Sequence, residues 1–550
     1  FIVTFVLFCR LWAFVNFTQF FSWCRQIIPL HGNRGLCPVG TRDFESLSYE
    51  MHVRNKNASV WDLRLALLKR RPSLMWLLWP EVTRNPVAEG HTAQTAELRT
   101  PDTCLLYFCA LGTFISVLLV VEPIPGCSIF TAPPFSDFYE FLSKSDLPMN
   151  YIGGHQLLLW SKLLTFGNSF VGKCICFMCY AYLAAAHSTL YMCTRGKFAL
   201  QTEGQFWELS VFHFFAIVHV SITGHVGLAV LFWHWFCFRF MVSSGLVKHF
   251  GSKMWKDGTA MLHHYYNQPL PNTIAWYFHH QPDLLHRASV KGVWIVQLLA
   301  PLFVFIPSAI VGSTGEYMRL ICAMLFVGLQ AMINISGNYG NLGLLTVVAC
   351  VPFLNDSFFS LSLFLNGFAS GAGGSTSNSS ITVRQEVFPN TFTESVSILS
   401  LPFHAFFLAM LVVYVIASSF PTNSTARETF FQEVPDLFSV IYTFTNRWSL
   451  VNRYGPFGAM HDFRHEIRIF GLFKKPSEGE SRGGSSSRAA SSQSADDKEC
   501  TSVWREYSFY YKPYHPDVYP PYVSFWQCFH WPRFDWFLWF IPLRASRSHR

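Results

Sequence analysis

The chain has 550 residues, of which 51% are hydrophobic and only 13% are charged. Apolar runs alternate with polar connections along its whole length, which indicates a multi-span α-helical membrane protein and excludes an ordinary soluble domain. The net charge of +8 is scattered, so basic residues flanking the spans explain it better than nucleic-acid binding does.

The first apolar run, Phe1 to Phe21, is predicted to be the remainder of a first span. Because the chain begins inside this run and without Met, we expect it to be a fragment of a longer protein. A polar stretch from Thr41 to Thr103 follows and contains Asn57 in an N-A-S triplet. Asn57 is a candidate glycosylation acceptor, but only if this stretch is lumenal.

Several further apolar runs have the length of membrane spans. We predict one span at Leu105 to Val121, one or two within Gly153 to Leu190, and either one tilted helix or two short ones, broken near Gly224, within Phe206 to Phe238. Three histidines in the last run, His213, His219 and His225, are six residues apart and so do not share a helix face. We interpret them as hydrogen-bonded to neighbouring helices, and we predict no metal site.

The segment from 238 to 301 is the most distinctive part of the chain. Its apolar beginning gives way to lysines, and Pro269, Pro271 and Pro282 then prevent a continuous helix. Five histidines and several aromatic residues crowd this part before an apolar run resumes at Val293. Such amphipathic side chains predict a loop at the boundary between membrane and water.

The next apolar runs are Val293 to Val311 and Leu320 to Val351, and residues 334–343 interrupt the second one with a polar, glycine-rich break. Irregular backbone at that depth requires protein or a watery cavity around it. Residues 369–380 form a Gly/Ser/Asn linker, and Ile398 to Ile416 is the last predicted span. Residues 1–417 are therefore predicted to form one multi-span transmembrane domain.

From residue 421 the composition changes to alternating apolar and polar residues. We predict a soluble, β-rich and sandwich-like C-terminal domain over 421–550, with strands within 451–471, 504–516 and 531–540. A disordered insert is predicted at 474–499, and Asn423 is a second candidate glycosylation acceptor.

These stretches resemble the lipase maturation factor family, most clearly over 238–356 and 451–540 and more weakly over 26–38. The resemblance rests on motif residues, which are also the candidate client-binding residues: His264, Tyr265, Gln268, Pro269, Pro271, Asn272, Trp276, Tyr277, His279, His280, His286, Arg287, Gly337, Asn338, Asn452, Tyr454, Gly455, Phe457, Gly458, Trp504, Tyr507, Lys512, Pro513, Arg533, Asp535 and Trp536. Two Glu-Thr pairs of the family are replaced, by Tyr266-Asn267 and by Ser289-Val290.

The resemblance implies a multi-pass glycoprotein of the endoplasmic reticulum membrane that needs no cofactor and is not an enzyme. Such a factor helps secreted lipases to fold and to assemble into homodimers, so secreted lipases are the expected partners, together with membrane lipid and lumenal chaperones. The resemblance also implies that the 242–292 loop and the C-terminal domain are in the lumen, although the basic residues of the loop favour the cytosol. We predict that residues 262–287 and the C-terminal domain face the client.

Two alternatives stay open. A membrane-embedded enzyme, distantly similar to vitamin K-dependent carboxylases, would have to use His263, His264, His279 or His280, since no nucleophile–base pair or phosphate loop is present. The other alternative is a structural membrane protein that has drifted from the family role, which the two replaced Glu-Thr pairs favour.

Overall fold

The computed structural model of the chain describes residues 2–32, 34–37, 60–70, 73, 101–124, 170–194, 198, 200–306, 311–354, 400–419, 436–458, 460–474, 502–513, 517–523 and 531–543. The predicted linker at 369–380 and both candidate acceptors, Asn57 and Asn423, lie outside these residues, as does the predicted insert at 474–499 except Lys474, which belongs to a strand.

The described residues are mostly helical. The helices are α1 (Ile2–Cys24), α2 (Ile27–His31), α3 (Val60–Arg70), α4 (Pro101–Val121), α5 (Phe170–Thr194), α6 (Gln201–Thr223), α7 (Gly227–Gly251), α8 (Lys253–Lys256), α9 (Ala260–Asn267), α10 (Thr273–His279), α11 (Asp283–Trp294), α12 (Ser313–Ser336), α13 (Asn341–Ala349), α14 (Leu401–Ser419), α15 (Asp436–Arg447) and α16 (Arg533–Leu538). Helix α11 continues as a π-helical turn and a 3-10 turn to Phe305.

Among the described residues, eight helices are long and apolar enough to cross a membrane: α1, α4, α5, α6, α7, α11 with its continuation, α12 and α14. A helix satisfies its own backbone donors and acceptors, which is what a segment in lipid requires. Their buried faces meet in one core, where Phe8, Trp12 and Trp233 are almost completely enclosed. The predicted fold class, a multi-span helical membrane protein, is confirmed.

The run at 206–238 is divided near Gly224, which agrees with the second of the two predicted alternatives. Gly224 ends α6 with a φ of 71°, and its N–H donates to Val220 O over 2.8 Å. This is the usual left-handed helix end, which favours glycine. The two resulting helices are each of full membrane-spanning length rather than short, because they extend beyond the predicted run to Gln201 and Gly251.

The three histidines in this run differ in their surroundings. His219 Nε2 lies 2.9 Å from His404 Nδ1 on α14, which fits the predicted contact with a neighbouring helix. The prediction is wrong for His213, because neither ring nitrogen has a hydrogen-bond partner and the ring packs between Phe8 and Tyr180 instead.

The segment at 238–301 contains more helix than predicted. Helix α7 continues to Gly251, and the short helices α9 and α10 are separated at Pro269 and Pro271. Helix α11 begins at Asp283, ten residues before the predicted Val293 and directly after Pro282, a residue that a helix tolerates only near its start because it has no backbone N–H. The polar break predicted at 334–343 is narrower and lies between Ser336 and Asn341.

In the C-terminal part, β1 (Phe470–Lys474) and β2 (Ser502–Glu506) form an antiparallel two-stranded sheet. Leu472 lies directly opposite Trp504 in this sheet. The strand predicted at 531–540 is wrong, because this segment forms α16 after Pro532.

Helix α15 also lies where alternating strands were expected. Its apolar residues Leu437, Val440, Ile441 and Phe444 follow helical spacing, so they form one stripe along the helix.

Candidate functional site

The motif residues of the 262–287 segment converge on the break between α12 and α13. The Gln268 side chain donates to Ser336 O over 2.6 Å and accepts from the Tyr339 hydroxyl over 2.6 Å. The Asn272 side chain donates to Ile335 O over 2.9 Å and accepts from Ala275 N, which caps α10. These bonds satisfy backbone groups that the break would leave without partners.

Glycine is required at this junction because the segments approach closely. Pro271 and Gly337 form an isolated antiparallel bridge. A Cβ atom on Gly337 would lie only 2.0 Å from Gln268 Oε1. Gly340 has a φ of 58°, and a Cβ there would lie 2.3 Å from the ring of Trp531. The break is therefore shaped to receive both the loop and the C-terminal region.

The C-terminal region packs on the same loop. The Arg464 guanidinium donates to Tyr266 O over 3.0 Å and to Gln268 O, and it pairs with Glu466. Asn267 donates to His461 O over 2.6 Å. Residues 262–287 and the C-terminal region thus lie at one end of the helix bundle, which we call the motif end; α6 begins and α7 ends there.

Glu208, on α6, is a buried acceptor for residues from three other segments. It pairs with Arg239 on α7 and accepts 2.6 Å bonds from the hydroxyls of Tyr414 and Tyr454. It also accepts from the backbone N–H of Asn452 over 2.6 Å. Burial raises the pKa of Tyr454 well above its usual value, which keeps this hydroxyl a donor.

Glu203 lies one and a half turns before Glu208 on α6 and pairs with Arg533 of a second C-terminal motif. Its Oε1 lies 3.0 Å from Nε of Arg533, and both side chains are buried. The Arg533 guanidinium stacks 3.8 Å from the Trp23 ring centroid, and its backbone N–H donates to Gln26 Oε1 over 3.0 Å. Burial lowers the pKa of Arg533, an effect that Glu203 opposes.

Lys512 and Asp535 connect two further motifs. The Lys512 ammonium pairs with Glu466 at 2.5 Å, and its backbone N–H donates to Asp535 Oδ1 over 3.2 Å. Burial raises the pKa of Asp535, while the hydrogen bond from Lys512 N–H opposes that shift. Lys512 is only 3% exposed, so this lysine is part of the packed interior rather than of a basic surface.

A cavity of about 610 Å³ lies where the motif segments meet. Its walls come from the α6–α7 end, the loop, the helix break and the C-terminal region: Leu200, Gln201, Thr202, Val247, Gly251, His264, Asn267, Gln268, Pro269, Tyr339, Leu342, Gly455, Pro456, Phe457, Gly458, Met460, His461, Trp531, Trp536, Phe537, Trp539, Phe540 and Leu543. Burial, aided by the nearby Lys248, lowers the pKa of His264 to about 4, so this imidazole is neutral.

Three of the histidines proposed for alternative chemistry, His263, His279 and His280, lie near one another, with the His279 and His280 ring centroids 5.2 Å apart, but their ring nitrogens have different partners. His263 Nδ1 lies 2.7 Å from the Tyr266 hydroxyl, and His280 Nδ1 lies 2.7 Å from Trp276 O. His286 Nε2 lies 3.2 Å from His279 O. Across the residues that the structure describes, no group of three or more His, Cys, Asp or Glu side chains is arranged to hold a metal ion.

Only a minority of the motif side chains are exposed. Trp276 is 57% exposed, Tyr277 61%, Trp504 66% and Tyr507 50%. His264, Gln268 and Asn272 are buried in internal contacts, whereas His280 and Arg287 are exposed and His279 and Trp536 are partly buried. The structure therefore separates a buried set that assembles the motif end from an exposed set that is mainly aromatic.

Sequence reasoning did not single out Glu203 and Glu208. The available signal was the presence of two carboxylates in the apolar run of α6, because ionisable residues inside a span are costly and are retained only with partners. Their partners, Arg533 and Asn452, were selected as motif residues, but the pairing depends on contacts between residues far apart in the chain.

The sequence model described as "Lipase maturation factor transmembrane domain" matches residues 152–361. Lipase maturation factor 1 of Homo sapiens is 28% identical over 319 residues, which is 56% of this chain and 46% of that protein. Lipase maturation factor 2 of Xenopus tropicalis is 26% identical over 343 residues, 62% of this chain and 37% of that protein.

Lipase maturation factor 2 of Mus musculus is 35% identical over 132 residues, 24% of this chain and 18% of that protein. The chain spans about half the length of the first of these relatives, and no solved structure matches it. The domain match includes the 262–287 segment and the helix break at the motif end. Residues 152–361 therefore match the transmembrane domain of the lipase maturation factor family, and the chain is similar to both kinds of lipase maturation factor.

Proposed function

We propose that this protein is a maturation factor of the endoplasmic reticulum membrane that assists the folding and homodimer assembly of secreted lipases without catalysing a reaction. The names of its relatives support lipases as clients, and eight candidate spans support a membrane-anchored site of action. Lumenal chaperones and membrane lipid are further partners in this proposal, and it involves neither nucleic acid nor a cofactor.

The observation that carries the proposal is an exposed apolar patch on one face of the β1–β2 sheet, a face that also carries Glu506 and Lys474. Residues on alternate positions of a strand share one face, so Phe470, Leu472 and Trp504 lie together. They are 46%, 55% and 66% exposed. A rigid aromatic face of this kind can cover apolar surface on an unfinished protein with little loss of side-chain entropy.

A second exposed aromatic group lies on α10 and on the segment at 517–523. The Thr273 hydroxyl, on the first turn of α10, donates to Pro520 O over 3.0 Å, which joins α10 to the tyrosine-rich segment at 517–523. Trp276 and Tyr277 on α10, and Tyr519 in that segment, are more than half exposed. The proposed client surface therefore consists of the sheet face and this aromatic group.

The buried motif residues support a non-catalytic role. His264, Gln268, Asn272, Tyr454 and Arg533 are engaged in contacts that hold the motif end together. In this proposal they position the exposed surface and do not contact the client. Their substitution would act on lipases only through the stability of the protein.

The proposal is tested by crosslinking in cells that make a secreted homodimeric lipase together with this protein. Leu472→Ser combined with Trp504→Ser removes the apolar face, and we expect at least a threefold loss of lipase recovered with the protein. Val503→Ser is the matched control, because Val503 is 42% exposed but lies on the opposite face. Equal recovery with all three proteins would contradict the proposal.

A further inference from the structure

The cavity at the motif end has a wall without formal charge. None of the lining residues that the structure describes is Asp, Glu, Lys or Arg, and rings from Phe457, Trp531, Trp536, Trp539 and Phe540 make up much of the wall. Its volume of about 610 Å³ is within the range of sites for small organic ligands, about 300–1,000 Å³. The nearest described cations, Lys248 and Arg464, lie behind the wall and donate to the backbone carbonyl groups of Pro456 and Gln268.

Two donors in this wall lack partners. Trp531 is 3% exposed, and the indole nitrogens of both Trp531 and Trp536 are buried without a hydrogen-bond acceptor. The two rings meet edge to face, with centroids 5.8 Å apart. A buried N–H without an acceptor is costly, so this pair indicates a ligand that brings acceptors.

Among the described lining side chains, no buried acceptor lacks a hydrogen-bond donor. The Gln268 carbonyl oxygen accepts from Tyr339, so it is already engaged. A peptide segment carries a donor with every acceptor, whereas an ester carries acceptors alone. The unmatched groups of the described wall therefore favour an ester over a peptide.

The cavity lies beside the ends of two candidate membrane spans. Leu200 directly precedes α6 and Gly251 ends α7, so the cavity lies at the level where spans enter and leave the bilayer. The terminal helix α16 and the residues after it, including Trp539 and Leu543, form one side. An aromatic wall at this level is suited to an amphipathic molecule with an apolar body and a polar tip.

We propose that this cavity binds an uncharged acyl lipid, with its ester carbonyl groups hydrogen-bonded to the indole N–H groups of Trp531 and Trp536 and its acyl chain against the surrounding rings. This is a binding site separate from the exposed surface proposed for lipases. It does not depend on that proposal, because lipid binding is measured with no lipase present.

The test uses the full chain in membranes with a diacylglycerol probe that carries a photoreactive group on its acyl chain. We expect labelling of peptides from the 455–461 and 531–543 segments, reduced by excess unlabelled diacylglycerol and not by phosphatidylserine. Trp531→Phe and Trp536→Phe each keep a ring but remove one donor. Each should reduce labelling by roughly fivefold, the effect of one hydrogen bond.

Two further variants distinguish a loss of lipid binding from a loss of folding. Met460→Trp fills the cavity from its wall and should abolish labelling while resistance to protease is retained. Trp504→Phe, on the exposed sheet, should label like the unaltered protein. Labelling that is equal in all variants, equal with a phosphatidylserine probe, or confined to other segments would overturn the proposal.

Discussion

The Nε–H of Arg533 donates to Oε1 of Glu203 over 3.0 Å, although 330 positions separate the two residues. Glu208, on the same helix, accepts hydrogen bonds from the Tyr454 hydroxyl and the Asn452 backbone N–H. One membrane helix therefore anchors two C-terminal motifs through its two buried carboxylates. This explains why segments that are distant in sequence form one assembly at the motif end.

Breaking the Glu203–Arg533 pair should destabilise the protein strongly. Glu203→Gln leaves Arg533 charged and fully buried, and losing one partner of such a pair costs about 3–5 kcal/mol. We expect a clear fall in the midpoint of thermal unfolding in detergent and earlier protease cleavage around residue 531.

The matched control is the Arg468–Glu506 pair, in which Arg468 is 60% exposed. Arg468→Ala should leave the unfolding midpoint unchanged, because water and salt screen an exposed pair. If Glu203→Gln also left it unchanged, the pair would not anchor the C-terminal region.

Acidification should destabilise the protein through His264. Its folded-state pKa of about 4 is below the ordinary value of 6.5, so the unfolded chain binds a proton more readily between these two values. The contribution to stability is fully present above pH 6.5 and is lost as the pH falls toward 4. We expect the free energy of unfolding to drop by about 2 kcal/mol between pH 8 and pH 5 from this group.

His264→Phe removes the titrating group and should flatten this part of the pH dependence of unfolding. Comparing the two proteins cancels the contribution of the other histidines. The same slope in both, measured by thermal unfolding at pH 8, 6.5 and 5, would show that His264 is protonated as easily in the folded protein as in the unfolded chain.

Gly337→Ala should disrupt the junction between the loop and the helix break. Its φ of −166° is ordinary extended backbone, so the cost comes from the Cβ that would collide with Gln268 Oε1. We expect a loss of about 2 kcal/mol or more in unfolding experiments, since the Gln268 hydrogen bonds to Ser336 and Tyr339 must shift.

Gly328→Ala is the control for this experiment. It lies within α12, and a Cβ there meets nothing within 4 Å. Alanine is the better helix former, so Gly328→Ala should be neutral or slightly stabilising. A similar loss from both substitutions would mean that the loop junction is not tightly packed.

The contacts also predict which polar segments share a side of the membrane. Arg447 of α15 donates to Lys69 O of α3, and the C-terminal region contacts the 262–287 segment. Asn57 precedes α3 and Asn423 follows α14 in the sequence. We expect both asparagines to receive glycans, or neither, when each is replaced by Gln and the shift in gel mobility is measured. Modification of only one would contradict this arrangement.

The membrane-spanning architecture could be predicted from the sequence because a span needs only a local property, about 20 apolar residues. Local signals also predicted the interruption near Gly337 and gave a division near Gly224 as one of two alternatives. The start of α11 was missed because the apolar run begins ten residues after Asp283, although the helix starts where Pro282 permits it.

The assembly of the motif end could not be predicted in the same way. The Glu203–Arg533 and Asn267–His461 contacts join segments about 200 to 330 residues apart, and only the folded chain brings them together. The segment at 531–540 was assigned to a strand because a short aromatic run does not distinguish a strand from a helix by its periodicity. Its partners, Glu203 and Gln26, determine its place in the fold.

The measurement that tests the central claim most directly is the ratio of secreted lipase activity to secreted lipase protein. It is made in cells whose own lipase maturation factors have been deleted, with and without this protein. We expect the ratio to rise several-fold when the protein is present and to fall again with the Leu472→Ser and Trp504→Ser substitutions. A ratio that stays the same with and without the protein would contradict a role in lipase maturation.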